Sequence, residues 1–420
     1  YKFSHERIKK MELNGIEYLR EKLNRHRMRV DLRYKQYDMK YKDSDVGAVI
    51  PATLRAQYRA TLGWCTKSVD ALADRLIFKG FDDDVFEIND IFNMNNPDTF
   101  YDSAILSALI ASCCFVYISS GEENEPRLQI IEASNATGII DPITGLLKEG
   151  YAVLDRDKNG KAVSEAYFLP NRTDYYIDGK FAYAYEHKSM YPLLVPIIHR
   201  PDAVRPFGRS RISRSAMYYQ KYAKRTLERA DITAEFYSFP QKYVVGLSPE
   251  AEPLDKWQAT ISSMLQFDKD QDGDKPTLGQ FTMPSMSPFT EQLRTAAAGF
   301  AGETGLTLDD LGFVSENPSS SEAIKASHET LRAMARKAQR NFGSGFLNVG
   351  FISCCIRDDY PYLRNQFYKV KPRWMPVFEP DAATLSTVGD GAIKINQAIE
   401  GFFDKKRLTE LTGIEGGADD

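Results

Sequence analysis

Residues 287–305, SPFTEQLRTAAAGFAGETG, constrain the fold more than any other stretch of the chain. Pro288 is tolerated in the first turn of a helix, where its missing N–H has no intrahelical partner to lose. Gly305 suits the left-handed residue that closes a helix. Between them Thr295, Ala296, Ala297, Ala298, Gly299, Ala301 and Gly302 are nearly all small. Small side chains on several faces admit close neighbours on more than one side, yet they bury too little apolar surface to drive a single monomeric core. The stretch therefore predicts a helix made for a crowded ring of copies. A turn-rich segment follows, LTLDDLGFVSENPSSS, with Asn317-Pro318 as its strongest break. Ser319-Ser320-Ser321-Glu322 has the form of a capping box. Ile324, Leu331, Met334, Ala335, Ala338 and Phe342 then keep the 3–4 spacing of one buried helical face. Lys325, Arg332, Arg336, Lys337 and Arg340 decorate the rest, and Phe342-Gly343-Ser344-Gly345 is expected to terminate this long helix.

The remaining chain reads as α+β, with helices followed by strands. Helices are expected over residues 4–29, 55–76 and 97–113, the last running into a buried strand, CCFVYIS. From Arg127 to Arg200 the apolar period changes to two, and LQIIEA, LKEGYAVLD, AVSEAYFLP, TDYYID and KFAYAYEH read as one antiparallel meander. Asn159-Gly160 and Asp178-Gly179 supply hairpin turns. A proline-rich approach, YPLLVPIIHRPDAVRPFGRSRI, leads to a helix over 213–236 with a mostly alanine seam of Ala216, Ala223, Leu227, Ala230 and Ala234. Next come a strand (QKYVVGL), a helix at 254–267, the acidic loop DKDQDGDKP and a second strand (TLGQFTM). Residues 347–356 are apolar, KPRWMPVFEP is strand-like, and one or two helices are expected over 392–411.

At 420 residues the chain exceeds what one core serves, so two or more compact regions are expected. Lys+Arg 54 against Asp+Glu 58 gives a net charge of −4. Proteins built to grip phosphates are usually basic, because counterion release drives that affinity. This chain, averaged over its surface, either avoids nucleic acid or lets it slide past. Cys65, Cys113, Cys114, Cys354 and Cys355 are odd in number and flanked by apolar residues, so buried reduced thiols and a reducing cytosol are expected. The longest apolar run, near 104–118, is too short and serine-rich to span a bilayer. No signal peptide is legible in a sequence that opens at Tyr1.

Catalysis finds little support. The histidines (His5, His26, His187, His199, His328) form no HxH or HExxH pattern, and there is no phosphate-cradling glycine loop and no Gly-x-Ser-x-Gly. Asp268, Asp270 and Asp272 with Gly273 match the first half of a calcium loop, but the twelfth position is Gly279 rather than Glu, and a solvated turn is the simpler reading. Asp155, Asp157 and Asn159 form a second partial match that a hairpin turn explains better. Asn135-Ala-Thr137 and Asn171-Arg-Thr173 are chance glycosylation triplets in a non-secreted chain. Arg205, Arg209, Arg211, Arg214, Lys221, Lys224, Arg225 and Arg229, interleaved with Tyr218, Tyr219 and Tyr222, form a basic stripe that suits either nucleic acid or the acids of a neighbouring subunit. A nucleic-acid-binding enzyme using this stripe is the alternative to a ring.

The run Gly312-Phe313-Val314-Ser315-Glu316-Asn317-Pro318-Ser319-Ser320-Ser321-Glu322-Ala323-Ile324, followed by a long basic helix, resembles the signature of tailed-bacteriophage portal proteins of siphophage type. Arg205-Pro206-Phe207-Gly208-Arg209-Ser210 is similar to that family's entry to its first stem helix. The resemblance covers most of the chain and implies a portal fold: a wing of helices plus meander, a helical stem, a small α/β clip and a short helical crown. Its parts would be wing at 1–205, stem helix at 206–238, clip at 239–286, second stem helix at 287–305, tunnel loop, long helix and remaining wing at 306–388, and crown at 389–420. It implies a closed homo-oligomeric ring, most often of twelve, at one capsid vertex of the virion, assembled in the bacterial cytoplasm. Double-stranded DNA would pass through it. Terminase, a head-completion adaptor, and major capsid and scaffold proteins would be partners, with no membrane, cofactor or catalysis. Val314, Ser315, Glu316, Asn317, Pro318 and Ser319 would face DNA, and Ala216, Ala223, Leu227, Ala230, Ala234, Ala296, Ala297, Ala298 and Gly299 would pack the stem.

Overall fold

The computed structural model describes residues 13–41, 59–121, 124–238, 242–245, 277–280, 285–313, 326–378 and 382–412. In chain order the elements are α1 (Ile16–Tyr37), α2 (Trp64–Ala73), β1 (Phe78–Asp82), α3 (Ile88–Asn93), α4 (Pro97–Ala111), β2 (Cys113–Ser120), β3 (Pro126–Glu132), β4 (Ala136–Ile140) and β5 (Leu147–Arg156). There follow β6 (Ala162–Leu169), β7 (Arg172–Ile177), β8 (Lys180–Glu186), β9 (Leu194–Ile198), α5 (Arg214–Ser238), β10 (Lys242–Val245) and β11 (Thr277–Gln280). The last are α6 (Ser287–Thr304), α7 (Glu329–Arg357), β12 (Lys371–Trp374), α8 (Ala382–Ala398) and α9 (Lys405–Thr412). The α+β expectation holds.

The chain divides into two compact units, one of residues 1–41, 63–217 and 301–420, the other of 42–62 and 218–300. In the first, β3-β2-β9 and β4-β5-β6-β7-β8 form two antiparallel sheets, and β1 pairs with β12. The expected single meander is thus two sheets. The Glu132–Asn135 turn, closed by Asn135 N–H to Glu132 O at 3.0 Å, lets β3 turn back onto β2 while the chain starts a new sheet at β4. The hairpin turns fall as expected, with Gly160 and Gly179 at φ 79° and 77°. β4 was not legible. Its sequence ATGII looks like a loop, but a Cβ on Gly138 would lie 2.7 Å from Glu149 O, so glycine there allows two strands to close up.

Helix α1 extends to Tyr37 rather than 29, because Val30 continues the buried stripe of Leu19 and Leu23 and nothing breaks the helix before Met39 at φ 58°. It docks on the five-stranded sheet through two carboxylates. Glu149 accepts from the N–H groups of Asn14 (2.8 Å) and Gly15 (3.2 Å), supplying the cap that α1 lacks locally, and Tyr167 Oη donates to it at 2.7 Å. Glu165 holds Arg20 Nη2 at 2.6 Å.

Helix α7 departs most from expectation. Phe342-Gly343-Ser344-Gly345 does not end it; the helix runs to Arg357, taking in the apolar stretch 347–356. Its glycines are notches rather than stops. An added Cβ would lie 2.7 Å from Pro372 at Gly343, 2.9 Å from Ile197 at Gly345 and 2.3 Å from Ile88 at Gly350. β12, β9 and α3 therefore approach its backbone directly. Around Phe346 an aromatic cluster locks together, with Phe78 5.1 Å, Tyr101 4.9 Å and Trp374 6.3 Å away between ring centroids. α2 starts at Trp64; of the helix expected from 55, residues 55–58 lie outside the described residues and 59–63 are non-helical. At the other end α8 begins at Ala382, ahead of the helix expected from 392, despite Gly389 and Gly391. In the second unit the two anticipated strands, β10 and β11, pair with each other antiparallel, from Lys242–Gln280 to Val245–Thr277. The helix expected at 254–267 lies outside the described residues.

Candidate functional site

The proline-rich segment 199–213 delivers the chain from β9 to α5. Asp202 organises its tip by accepting from Val204 N–H (3.0 Å) and Arg205 N–H (2.7 Å), and from Arg209 Nη2 (2.8 Å). His199 and Arg209 then close the segment: Arg209 N–H donates to His199 O at 2.9 Å, and His199 Nδ1 lies 2.7 Å from Arg209 O. Burial pulls the His199 pKa down to about 3, so the neutral ring donates this bond. Gly208, at φ 70°, is required here, since a Cβ would fall 2.0 Å from His199 O. Ser210 Oγ donates to Ile110 O and accepts from Ile212 N–H at 2.9 Å. The Phe207-Gly208-Arg209-Ser210 motif is thus a folded connector whose parts hold each other.

Arg211 is the centre of this junction. It is 6% exposed. Its guanidinium donates Nε to Ser68 O of α2 at 3.0 Å and Nη2 to Thr304 O at the end of α6, while Nη1 lies 3.0 Å from Met334 Sδ of α7. Among the described residues no carboxylate bonds it. Burial draws its pKa down to about 10, far enough above neutrality that it stays charged. Thr304 O is one of the terminal carbonyls that a helix leaves unpaired, and the negative end of the α6 dipole favours a cation there. Ser213 Oγ adds a bond to Glu303 at 2.6 Å. One buried cation therefore ties the start of α5 and the end of α6 to two core helices. Sequence reading placed Arg211 among the surface cations; the hint available was its position between Ser210 and the apolar Ile212.

The expected seams of α5 and α6 are partly buried. Ala216 and Ala223 are fully buried on α5, Leu227 and Ala230 half-buried and Ala234 exposed. On α6, Ala296 and Ala297 are buried, Gly299 half-buried and Ala298 exposed. Gly299 lies against Tyr219, whose ring would sit 2.4 Å from an added Cβ, so the two helices pack at a notch. Thr295 and Ala298 stay exposed on α6, as do Tyr218 and Arg229 on α5. Tyr218 and Tyr222 stack in parallel with centroids 6.3 Å apart, and the Arg225 guanidinium lies 5.9 Å from the Tyr222 ring centre. The basic stripe is not one surface: Arg211 is buried, Arg209 is paired with Asp202, and Lys224 lies 3.9 Å from Glu228.

Val314, Ser315, Glu316, Asn317, Pro318 and Ser319 lie outside the described residues, as do Asp268, Asp270 and Asp272. Their flanks are described. Asp310 accepts from Thr307 N–H (2.9 Å) and Oγ1 (3.0 Å), and its Oδ2 lies 3.8 Å from Nδ1 of His328. Among the described residues no group of three or more His, Cys, Asp or Glu could hold a metal ion. The five cysteines are buried and unbridged, and burial pushes Cys65, Cys113 and Cys354 up to about 12. Among the described residues no helix is long and apolar enough to cross a membrane.

No protein-family model matches the chain. Among curated proteins it is 24% identical to the portal protein of Mycobacterium phage L5, across 88% of this chain and 79% of that protein. It is 22% identical to the portal protein of Mycobacterium phage D29, across 90% of this chain and 81% of that protein. Among solved structures, a chain of the virion of a native gene transfer agent particle superposes with a TM-score of 0.46 at 13% identity, covering 92% of this chain and 99% of that one. A chain from the neck of that native particle, computed with C12 symmetry, gives 0.45 at 14%, covering 91% and 98%. The identity is spread over about nine-tenths of this chain and four-fifths of each phage protein rather than confined to one motif. Over most of its length the chain is thus similar to the portal proteins of Mycobacterium phages L5 and D29.

Proposed function

We propose that this chain forms a closed ring of identical copies, twelve by the habit of the family it resembles, at one vertex of a capsid. The genome passes through its axis during packaging and ejection. The observation that carries the reading is the helix pair α5 and α6. They meet at the Gly299–Tyr219 notch and bury Ala223, Ala296 and Ala297, yet Thr295 and Ala298 remain exposed. Small residues on an open face serve close approach by a neighbouring copy. Arg211 fixes the ends of both helices, so neighbours in a ring would meet pre-set surfaces.

The chemistry is physical rather than catalytic. Twelve copies of a chain with net charge −4 carry about −48, so long-range attraction does not trap a rod of like charge. Contact with DNA falls to the polar segment Val314–Ser319. Energy for packaging comes from a separate ATPase, the terminase, which docks first on the region 239–286 and is replaced there by a head-completion adaptor. Capsid and scaffold proteins hold the outer surface, and assembly takes place in the host cytoplasm. The alternative of a nucleic-acid enzyme using Arg205–Arg229 is disfavoured by the burial of Arg211 and the pairing of Arg209.

Substituting Glu316→Arg or Ser319→Arg is expected to impair DNA packaging or ejection while rings still assemble. Phage yield unchanged by both substitutions would contradict the placing of this segment beside DNA. Sizing chromatography separates the two functional readings. A very large particle supports the ring, whereas a small species with tight, salt-sensitive DNA affinity supports the enzyme.

A further inference from the structure

A strand edge left bare invites pairing with another chain, and folded proteins normally cover, charge or cap such edges. In the first unit three edges are managed. On β4, Lys22 Nζ donates to Gly138 O at 2.6 Å. β9 contains Pro196 and lies against α7, whose Gly345 notch sits on Ile197. On β3 the side chain of Asn95 imitates a neighbouring strand: Nδ2 donates to Pro126 O at 2.9 Å, and Oδ1 accepts from Leu128 N–H at 3.0 Å. β8 is different. Six of its seven residues are exposed, with Phe181 at 54% and Tyr183 at 56%. Its free side carries no capping side chain among the described residues.

The Asn95 cap covers only one end of β3. Ile118, opposite Leu128, donates its N–H to Leu193 O at 2.9 Å, away from β3. Leu128 therefore faces outward and, by the two-residue period of a strand, so do the backbone groups of Ile130 and the N–H of Glu132, whose carbonyl already accepts from Asn135 N–H. Beside them opens a cleft of about 580 Å³, lined by Leu128, Ile130 and Glu132 from β3 and by Tyr34, Thr99 and Ser103. On β8, His187 N–H donates to Asn171 O at 3.0 Å across β7, so Glu186 and, two residues back, Ala184 direct their backbone groups outward.

We propose that β8 of one copy adds antiparallel to the free end of β3 of a second copy, joining the two sheets into one. The inference rests on the ring reading above. One surface offers a bare strand and the other an open edge beside a cleft, and they are different surfaces of the same chain. Such a contact is heterologous, and heterologous contacts build rings rather than two-fold dimers. Charge fixes the direction. In the antiparallel arrangement Lys180 lies at the Glu132 end, whereas a parallel strand would bring Glu186 there. Asn95 acts as a stop that limits how far the strand can slide along β3.

The direct test mixes isotope-labelled and unlabelled wild-type protein, allows assembly, and couples amines to carboxylates with a carbodiimide. Mass spectrometry should find Lys180 of one copy joined to Glu132 of another in the assembled fraction and not in the monomer. Rings visible by electron microscopy without that cross-link would overturn this contact and leave the ring intact; absence of rings would instead strike at the ring reading. Charge reversal gives an independent readout. K180E and E132K should each reduce the assembled fraction about tenfold, and the double variant should recover it. Glu132 also accepts from Asn135 Nδ2 at 3.2 Å, so E132K can disturb its own turn. Ala184→Pro avoids that difficulty, since it removes only an outward N–H on an exposed strand. It should leave the monomer's circular dichroism unchanged and lower assembly; undiminished assembly in Ala184→Pro would contradict the strand pairing.

Discussion

The cluster around Phe346 and the helix pair α5–α6 are held together in opposite ways. Phe78, Tyr101, Phe346 and Trp374 interlock in edge-to-face and tilted pairs, all but Trp374 buried, and each presents a large apolar ring to several others. α5 and α6 meet at a glycine notch, Gly299 against Tyr219, and Thr295 and Ala298 on α6 and Tyr218 and Arg229 on α5 are exposed. Aromatic packing stabilises a body that stands alone. Small-residue packing contributes little to one copy and permits close contact with others. On the proposed ring reading, the difference places stability and assembly in separate residues, so that each should be perturbed without the other.

The largest effect is expected at the aromatic end of that contrast. Phe346→Ala removes a fully buried ring and should destabilise the body by about 3–5 kcal/mol, read from denaturant unfolding. Arg211→Met comes next, since it removes the guanidinium that bonds Ser68 O and Thr304 O. It should cost about 2–4 kcal/mol and, unlike Phe346→Ala, should loosen the ends of α5 and α6 together, seen as faster amide exchange there. A loss confined to one helix would contradict the junction.

Acid is a third probe. Burial holds His187 and His199 neutral, pulling their pKa values down to about 4 and about 3. The unfolded chain protonates near 6.5, so below that pH it binds protons that the folded chain does not. This stability is complete above pH 6.5 and is lost as pH falls toward 4 and 3. Between pH 6.5 and 5 each histidine should cost about 2 kcal/mol, and His187→Gln should flatten its share of the slope. The smallest stability effect lies on the exposed face of α6. Ala298→Leu should alter monomer stability by less than about 0.5 kcal/mol yet block assembly, and a variant that assembles normally would break the comparison.

Much of the body was legible because its periods are strong. Pro97 opened α4 and Gly305 closed α6 where local chemistry said they would, and the hairpins at Gly160 and Gly179 followed from their turn residues. The failures share one cause. Gly343 and Gly345 were read as breakers, a local property, but each serves close approach by an element distant in sequence, as does Gly138 in the strand that went unread. Arg211 failed for the same reason. A cation looks like surface until the carbonyls of Ser68 and Thr304 are brought to it. The pairing of β1 with β12 joins residues 78 and 374 and has no local signal at all.

The central claim is that the small-residue helices stand side by side in a closed ring. Negative-stain electron microscopy of the purified chain, concentrated until it assembles, tests it most directly. The account predicts annular particles with a central hole and a uniform subunit number, lost in Ala298→Leu. Well-folded wild-type protein that shows no annulus in any buffer would contradict it.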